Sequence, residues 1–128
     1  MPKVKQFTVA VENRPGTLAD VARVLGEVKV NILALLSTTA GVEGFVGVVV
    51  DKPEKAKKAL DQAGLRYTEQ DVLLVELPNV PGALAKFAGK LAAKDINTTA
   101  AYQTAARGAR KASVVFGVSD MEKAARIR

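Results

Sequence analysis

The stretches ENRPG at 12–16 and PNVPG at 78–82 write the same chemistry twice: an asparagine carboxamide, a proline that sets chain direction, and a glycine ahead of a helical apolar pattern. A glycine at a helix start lets a ligand approach bare N–H groups, where unsatisfied donors and the helix dipole favour a carboxylate or phosphate. A carboxamide both donates and accepts, so Asn13 and Asn79, together with Asn31 and Asn97 beyond the helices that follow, suit recognition of a small polar molecule. The same residues also make a plain strand-to-helix corner, in which Asn caps or turns, Pro fixes φ and Gly permits a tight bend. The local sequence is compatible with both.

Other chemistries are poorly supplied. The chain has no His, which removes the commonest general base and metal ligand, and no Cys, which removes thiolate ligands and disulfides. Its 13 acidic residues are scattered, and no Ser or Lys falls at a spacing that marks a nucleophile. No catalytic residue, metal ligand or cofactor site is assigned, and an enzyme is not expected. The start, MPKVKQFTVAVENR, has no long apolar core, and no apolar run approaches the roughly 18 residues of a membrane span. The expectation is a cytoplasmic protein with no membrane partner. A formal charge of +6 favours solubility and leaves anionic metabolites or nucleic acid as partner classes.

The elements that position the two corners repeat as well. Asn13 and Asn79, Pro15 and Pro81, Gly16 and Gly82, and Leu18 and Leu84 are each 66 positions apart, so the 128-residue chain reads as a duplication. Phe7, Val9 and Val11 alternate as a strand with one buried face, and Leu73, Val75 and Leu77 match them. Leu18, Val21, Ala22 and Leu25 form a helical stripe expected to be buried, repeated as Leu84, Phe87, Ala88 and Leu91. Val30, Ile32, Ala34 and Leu36 predict a second strand, answered by Ile96, Thr98, Ala100 and Tyr102. Beyond this the offset becomes 68: Val46, Val48 and Val50 match Val114, Phe116 and Val118, so the preceding connection is two residues longer in copy two. Asp51 with Glu54, and Ser119 with Glu122, are spaced as capping boxes.

A fourth strand, LRYTEQ at 65–70, runs almost directly into LLVEL, the first strand of copy two. Each copy thus reads as the βαββαβ order of a ferredoxin-like sandwich, an α+β fold, with modules at 1–70 and 71–128 and the second lacking its fourth strand. That would leave the strand of Leu73, Val75 and Leu77 with an open ladder, which invites pairing with a second chain as a homodimer. Sharing of the fourth strand of copy one between both sheets is the alternative.

The run FTVAVENRPGTLADVARVL through VNI resembles the ACT domain, an amino-acid-sensing module, and is similar to the regulatory domain of phosphoglycerate dehydrogenase and to the acetolactate synthase regulatory subunit. The resemblance covers both halves. It implies a free amino acid bound where two modules meet, between the first strand-to-helix loop of one and the first helix and second strand of the other. It therefore implicates Asn13, Arg14, Gly16, Thr17, Leu18, Asn31 and Ile32, and in copy two Asn79, Gly82, Ala83, Leu84 and Asn97. It further implies a stand-alone sensor or a regulatory subunit of an amino-acid biosynthetic enzyme. Two departures stand out. Val11 occupies the place where the dehydrogenase-like pattern often carries a ligand-binding His, and Arg14 becomes Val80 in copy two, so the first site is expected to be the better one.

An RNA-binding ferredoxin-like module is the competing reading, since GFVGVVV at 44–50 faintly resembles the third strand of an RNA-recognition motif. Base stacking needs aromatics on the open sheet face. The positions available there are Phe45, Gly47 and Val49, and in copy two Ser113, Val115 and Gly117, and a single ring is no platform, so nucleic acid is disfavoured as a partner.

Overall fold

A computed structural model describes residues 2–127 and divides them into two compact units, residues 5–70 and residues 2–4 with 71–127. The N-terminal unit holds β1 (Lys3–Glu12, from Lys5 onward), α1 (Thr17–Glu27), β2 (Ile32–Ala40), β3 (Glu43–Val50), α2 (Pro53–Gln62) and the first residues of β4 (Arg66–Pro78). Its strands neighbour one another in the order β2-β3-β1-β4, the ferredoxin-like arrangement. The C-terminal unit continues β4 and adds α3 (Ala83–Ala93), β5 (Thr98–Thr104), β6 (Lys111–Val118) and α4 (Met121–Ala125), with the order β4-β6-β5. LRYTEQ and LLVEL, expected as two strands, are one: β4 runs 13 residues without a break.

The duplication is kept in the hydrogen-bond register. Phe7 opposes Val48 as Leu73 opposes Phe116, and Val9 opposes Val46 as Val75 opposes Val114. Leu36 faces Gly47 as Tyr102 faces Val115, so the two extra residues of copy two are absorbed in the β5–β6 connection and disturb neither ladder. Even an irregularity is repeated, with a register shift between Ile32 and Ala34 and another between Thr98 and Ala100. Because a bulge breaks the two-residue alternation, the inward set expected for the second strand does not persist: Val30 is buried, but Leu36 is 40% exposed.

Each unit has its own apolar core. Phe7, Val9, Val21, Leu25, Val48 and Leu60 are central to the first, and Leu73, Val75, Phe87, Leu91, Phe116 and Ile127 to the second. Aromatic volume is placed differently in the two. Copy one packs Phe7 edge-on against Tyr67 (5.7 Å between centroids), while copy two replaces Val21 and Val48 by Phe87 and Phe116, whose rings lie 5.1 Å apart. Aromatic bulk thus comes from different elements in the two cores.

Three expectations are corrected. Leu18, Leu84 and Ala88, assigned to the buried helix stripes, are exposed, the leucines by 42% and 43%, because the buried contacts of α1 are Val21 and Leu25 and those of α3 are Phe87 and Leu91. Asp51 and Ser119 do not cap helices. Asp51 Oδ1 accepts the Asn31 N–H (2.9 Å) while the Asn31 carbonyl accepts the Asp51 N–H (3.1 Å), and Ser119 and Asn97 exchange the same pair of bonds at 2.9 Å each. With those side chains committed to the loops entering β2 and β5, α2 starts at Pro53, whose ring nitrogen needs no acceptor, and α4 is capped by Asp120, which accepts from the Lys123 N–H (3.0 Å). Finally, the β4 ladder of copy two is not left open: in the C-terminal unit the Leu74 N–H donates to the Pro2 carbonyl at 3.2 Å. A second chain therefore has no wholly open ladder to pair with on that strand.

Candidate ligand-binding corners

Both NxPG corners are built the same way. Gly16 (φ 94°, ψ −12°) and Gly82 (φ 87°, ψ −11°) stand at the N-caps of α1 and α3 in the left-handed region, where a side chain is strained, so glycine is a backbone requirement at each. Neither helix start has a side-chain cap, and a Cβ at either glycine would meet nothing within 4 Å. At α1 no carbonyl or side chain caps the helix start, the arrangement that receives an anion, whereas at α3 the Ala83 N–H already donates to the Val80 carbonyl at 3.3 Å.

The first asparagine of each pair has a structural duty. Asn13 donates its backbone N–H to the Val42 carbonyl and its Nδ2 to the Gly41 carbonyl, both at 2.9 Å, tying the corner to the β2–β3 hairpin. Asn79 makes the same two bonds, at the same length, to Arg110 and Ala109 in the longer hairpin. The capping and turn reading of these residues is thus realised as a staple, and each Oδ1 keeps its acceptor capacity. Asn31 and Asn97 engage their backbone groups with Asp51 and Ser119, and their carboxamides make no hydrogen bond among the described residues.

Within a unit these groups are not brought together. Asn13 precedes α1 and Asn31 follows it, and 11 residues of helix put them about 16 Å apart along its axis. Arg14 Nε pairs with Glu12 Oε2 at 3.3 Å, and Thr17 Oγ1 donates to the Arg14 carbonyl at 3.2 Å. In copy two Val80 and Ala83 take those places, so that corner has no counterpart of either contact. Ile32 is half-buried at the start of β2 and packs on the N-terminal core.

Beside each corner the surface is concave. A cleft of about 490 Å³ in the N-terminal unit has Glu12, Arg14, Asp20, Glu43 and Arg66 around Val11, Val21 and Leu65. A cleft of about 430 Å³ in the C-terminal unit is lined by Leu77, Pro78, Val80, Phe87, Lys86 and Lys90. Val11 and Leu77, Glu12 and Pro78, Arg14 and Val80, Asp20 and Lys86, and Val21 and Phe87 are related by the 66-residue offset, so one corner is furnished with both signs of charge and the other with apolar groups and lysines. Glu43 and Arg66 were not legible as site residues, because hairpin and turn bring them to the corner from distant sequence. The Asp20 to Lys86 reversal could have been read from the repeat.

Neither perturbed titration lies at these corners. The hydrogen bond from Tyr67 to Asp61 Oδ1 (2.7 Å), with burial and the charges of Asp61 and Glu69 adding to it, pushes the phenol up to about 12; burial alone does the same for Tyr102. No group of His, Cys, Asp and Glu that could hold a metal ion exists among the described residues. No helix there is long and apolar enough to cross a membrane.

Two α+β units of ferredoxin-like order, each opening its first helix with a left-handed glycine corner, define a tandem ferredoxin-like pair. Residues 2–127 match the family described as the ACT domain pair, and the chain belongs to that family. A protein of Bacteroides thetaiotaomicron of known crystal structure is 34% identical to it, over 96% of this chain and 84% of that one, with a TM-score of 0.89. The regulatory subunit of aspartate kinase from Thermus thermophilus, in ligand-free form, shares the fold at a TM-score of 0.69 and 17% identity, over 98% of this chain and 94% of that one. Its counterpart from Thermus flavus gives 0.62 and 17%, over 89% and 81%. No curated protein sequence matches the chain.

Proposed function

We propose that this ACT domain pair is an amino-acid-responsive regulatory protein, with modules 1–70 and 71–128, that seats a free amino acid where the first corner of one module meets α1 and β2 of another. The observation that carries the reading is the uncapped helix start over Gly16, open to a ligand carboxylate, in a chain of this family. The elements named by the reading also carry exposed apolar side chains: Leu18 on α1, and Leu33, Leu35 and Leu36 on β2, the end strand of its unit. Such surface is suited to cover by a second copy, so the working species is a homodimer. The unengaged carboxamide of Asn31 is available to the ligand across that contact. Arg14 and Thr17 make the first corner the better site, and Asn79, Gly82, Ala83, Leu84 and Asn97 a weaker one. A cytoplasmic enzyme of amino-acid biosynthesis is the proposed target, as regulatory subunits of aspartate kinase share the fold.

A thermal-shift screen of the twenty amino acids tests this. A ligand at 100 times its dissociation constant stabilises by roughly 2.7 kcal/mol, a readily measured rise in melting temperature. One or a few amino acids should produce it. A flat screen at millimolar concentrations overturns the reading.

A further inference from the structure

A second concavity of the C-terminal unit, about 570 Å³, opens between the end of α3 and α4, within the range of roughly 300–1,000 Å³ usual for small-molecule sites. Its rim is cationic: Lys90 in α3 and Lys94 just after it, Lys123 in α4 and Arg126 just after it, with Ala93 and Ile127 supplying apolar wall and no carboxylate among the described lining residues. Lys94, Lys123 and Arg126 have no ion pair among the described residues.

The ordinary explanation of lysines at the ends of helices is that they complement the helix dipoles. It covers part of the charge. Each helix C-terminus presents about half a negative charge, and less for a helix of five residues, so two termini offset at most about one of these three positive charges. The remainder repels itself: Lys123 in α4 and Arg126 at its C-cap are three apart, a spacing at which like charges destabilise.

The duplication provides an internal comparison. At the places of Lys90 and Lys94 copy one has Val24 and Val28, which pack against its core, and at those of Lys123 and Arg126 it has Lys55 and Lys58. The α2 cations are ordinary surface charges there, because the facing helix presents valines. Copy two has replaced both valines by lysines and so has turned an apolar seam into a concave cluster of one sign.

We propose that the α3–α4 concavity binds a small multivalent anion, a phosphate- or polycarboxylate-bearing metabolite whose charges lie close enough together to be reached from both helices. This site shares only Lys90 with the cleft beside the Gly82 corner and no residue with the cleft beside Gly16, and it does not depend on the amino-acid reading.

The test is calorimetric titration of the full chain with sodium pyrophosphate and, separately, with sodium citrate at matched ionic strength, on wild type and on the Lys94→Glu/Lys123→Glu variant. Binding of either probe tighter than about 1 mM, weakened at least about tenfold by the charge reversals and falling with added salt, is expected. Preference for pyrophosphate assigns a phosphoester ligand, and preference for citrate a polycarboxylate. Circular dichroism verifies the fold, and Lys94→Gln/Lys123→Gln, which removes the charges without reversing them, should weaken binding in the same direction if the Glu variant misfolds. No binding of either probe, binding unchanged in both variants, or binding of poly(U) without binding of the small anions overturns the proposal. The amino-acid thermal shift should survive in both variants, so the two readings fail separately.

Discussion

The helix α3 contains two glycines for which the same substitution should act in opposite directions. Gly82 has φ 87° at the N-cap, and Gly89 lies in the helix interior; a Cβ at either would meet nothing within 4 Å, so steric clash enters neither account. At Gly82 an alanine methyl faces the left-handed penalty of about 1–2 kcal/mol, from which about 0.4–1 kcal/mol is returned by restricting the unfolded chain. The net is a destabilisation near 1 kcal/mol. At Gly89 alanine gains about 0.8–1 kcal/mol of helix propensity. The two variants should thus differ by about 2 kcal/mol in urea unfolding followed by circular dichroism, with unchanged slopes. In melting temperature each shift is about 4 °C if the chain unfolds as one, and about twice that if the C-terminal unit unfolds alone. Gly82→Ala as stable as wild type, or both variants moving the same way, would refute the claim that backbone conformation decides the glycine. Gly16→Ala extends the experiment to function, since loss of amino-acid binding beyond its effect on stability would show that the open space over the corner is used by a ligand.

Asn31→Ala should leave urea stability nearly unchanged, because its carboxamide has no internal partner, and should weaken amino-acid binding by roughly 1.5–3 kcal/mol in calorimetry; Asn13→Ala should additionally lower stability by about 1 kcal/mol through loss of the bond to Gly41. Light scattering at micromolar concentration should give the mass of two chains, reduced to one by Leu35→Lys/Leu36→Lys, which places charge on an edge strand; a one-chain mass for wild type removes the dimer. Tyrosinate absorbance, clean because the chain has two Tyr and no Trp, should titrate near pH 12 in the folded protein and near 10 in urea. Since the folded pKa values are the higher ones, their contribution to stability is complete below pH 10 and is lost as pH rises towards 12; Tyr67→Phe should remove the Tyr67 part, and titration of folded Tyr67 near 10 would contradict the bond to Asp61.

The duplication, the order of elements, the βαββαβ class and the change of offset from 66 to 68 were legible in the sequence. Periodicity and repeat spacing are properties of contiguous residues, and the hydrogen-bond registers simply carry them into three dimensions. The double valine-to-lysine replacement at 90 and 94 was equally present on the page as an offset of 66, although its meaning requires knowing which helix faces it.

What tertiary structure alone decided were choices between local options of similar energy. Asp51 has the spacing of a capping residue and is held instead by the Asn31 backbone, because the chain returns there 20 residues away and offers a reciprocal pair of bonds. Leu18 fits the helical stripe and is exposed, since periodicity assigns a direction and not whether anything lies in that direction. Asn13 could have capped, turned or waited for a ligand; the hairpin carbonyls of Gly41 and Val42 settle its donors. For Asp51 and Asn13 the deciding partner comes from 20 or more residues away, where sequence pattern has no reach and only the packed fold supplies the contact.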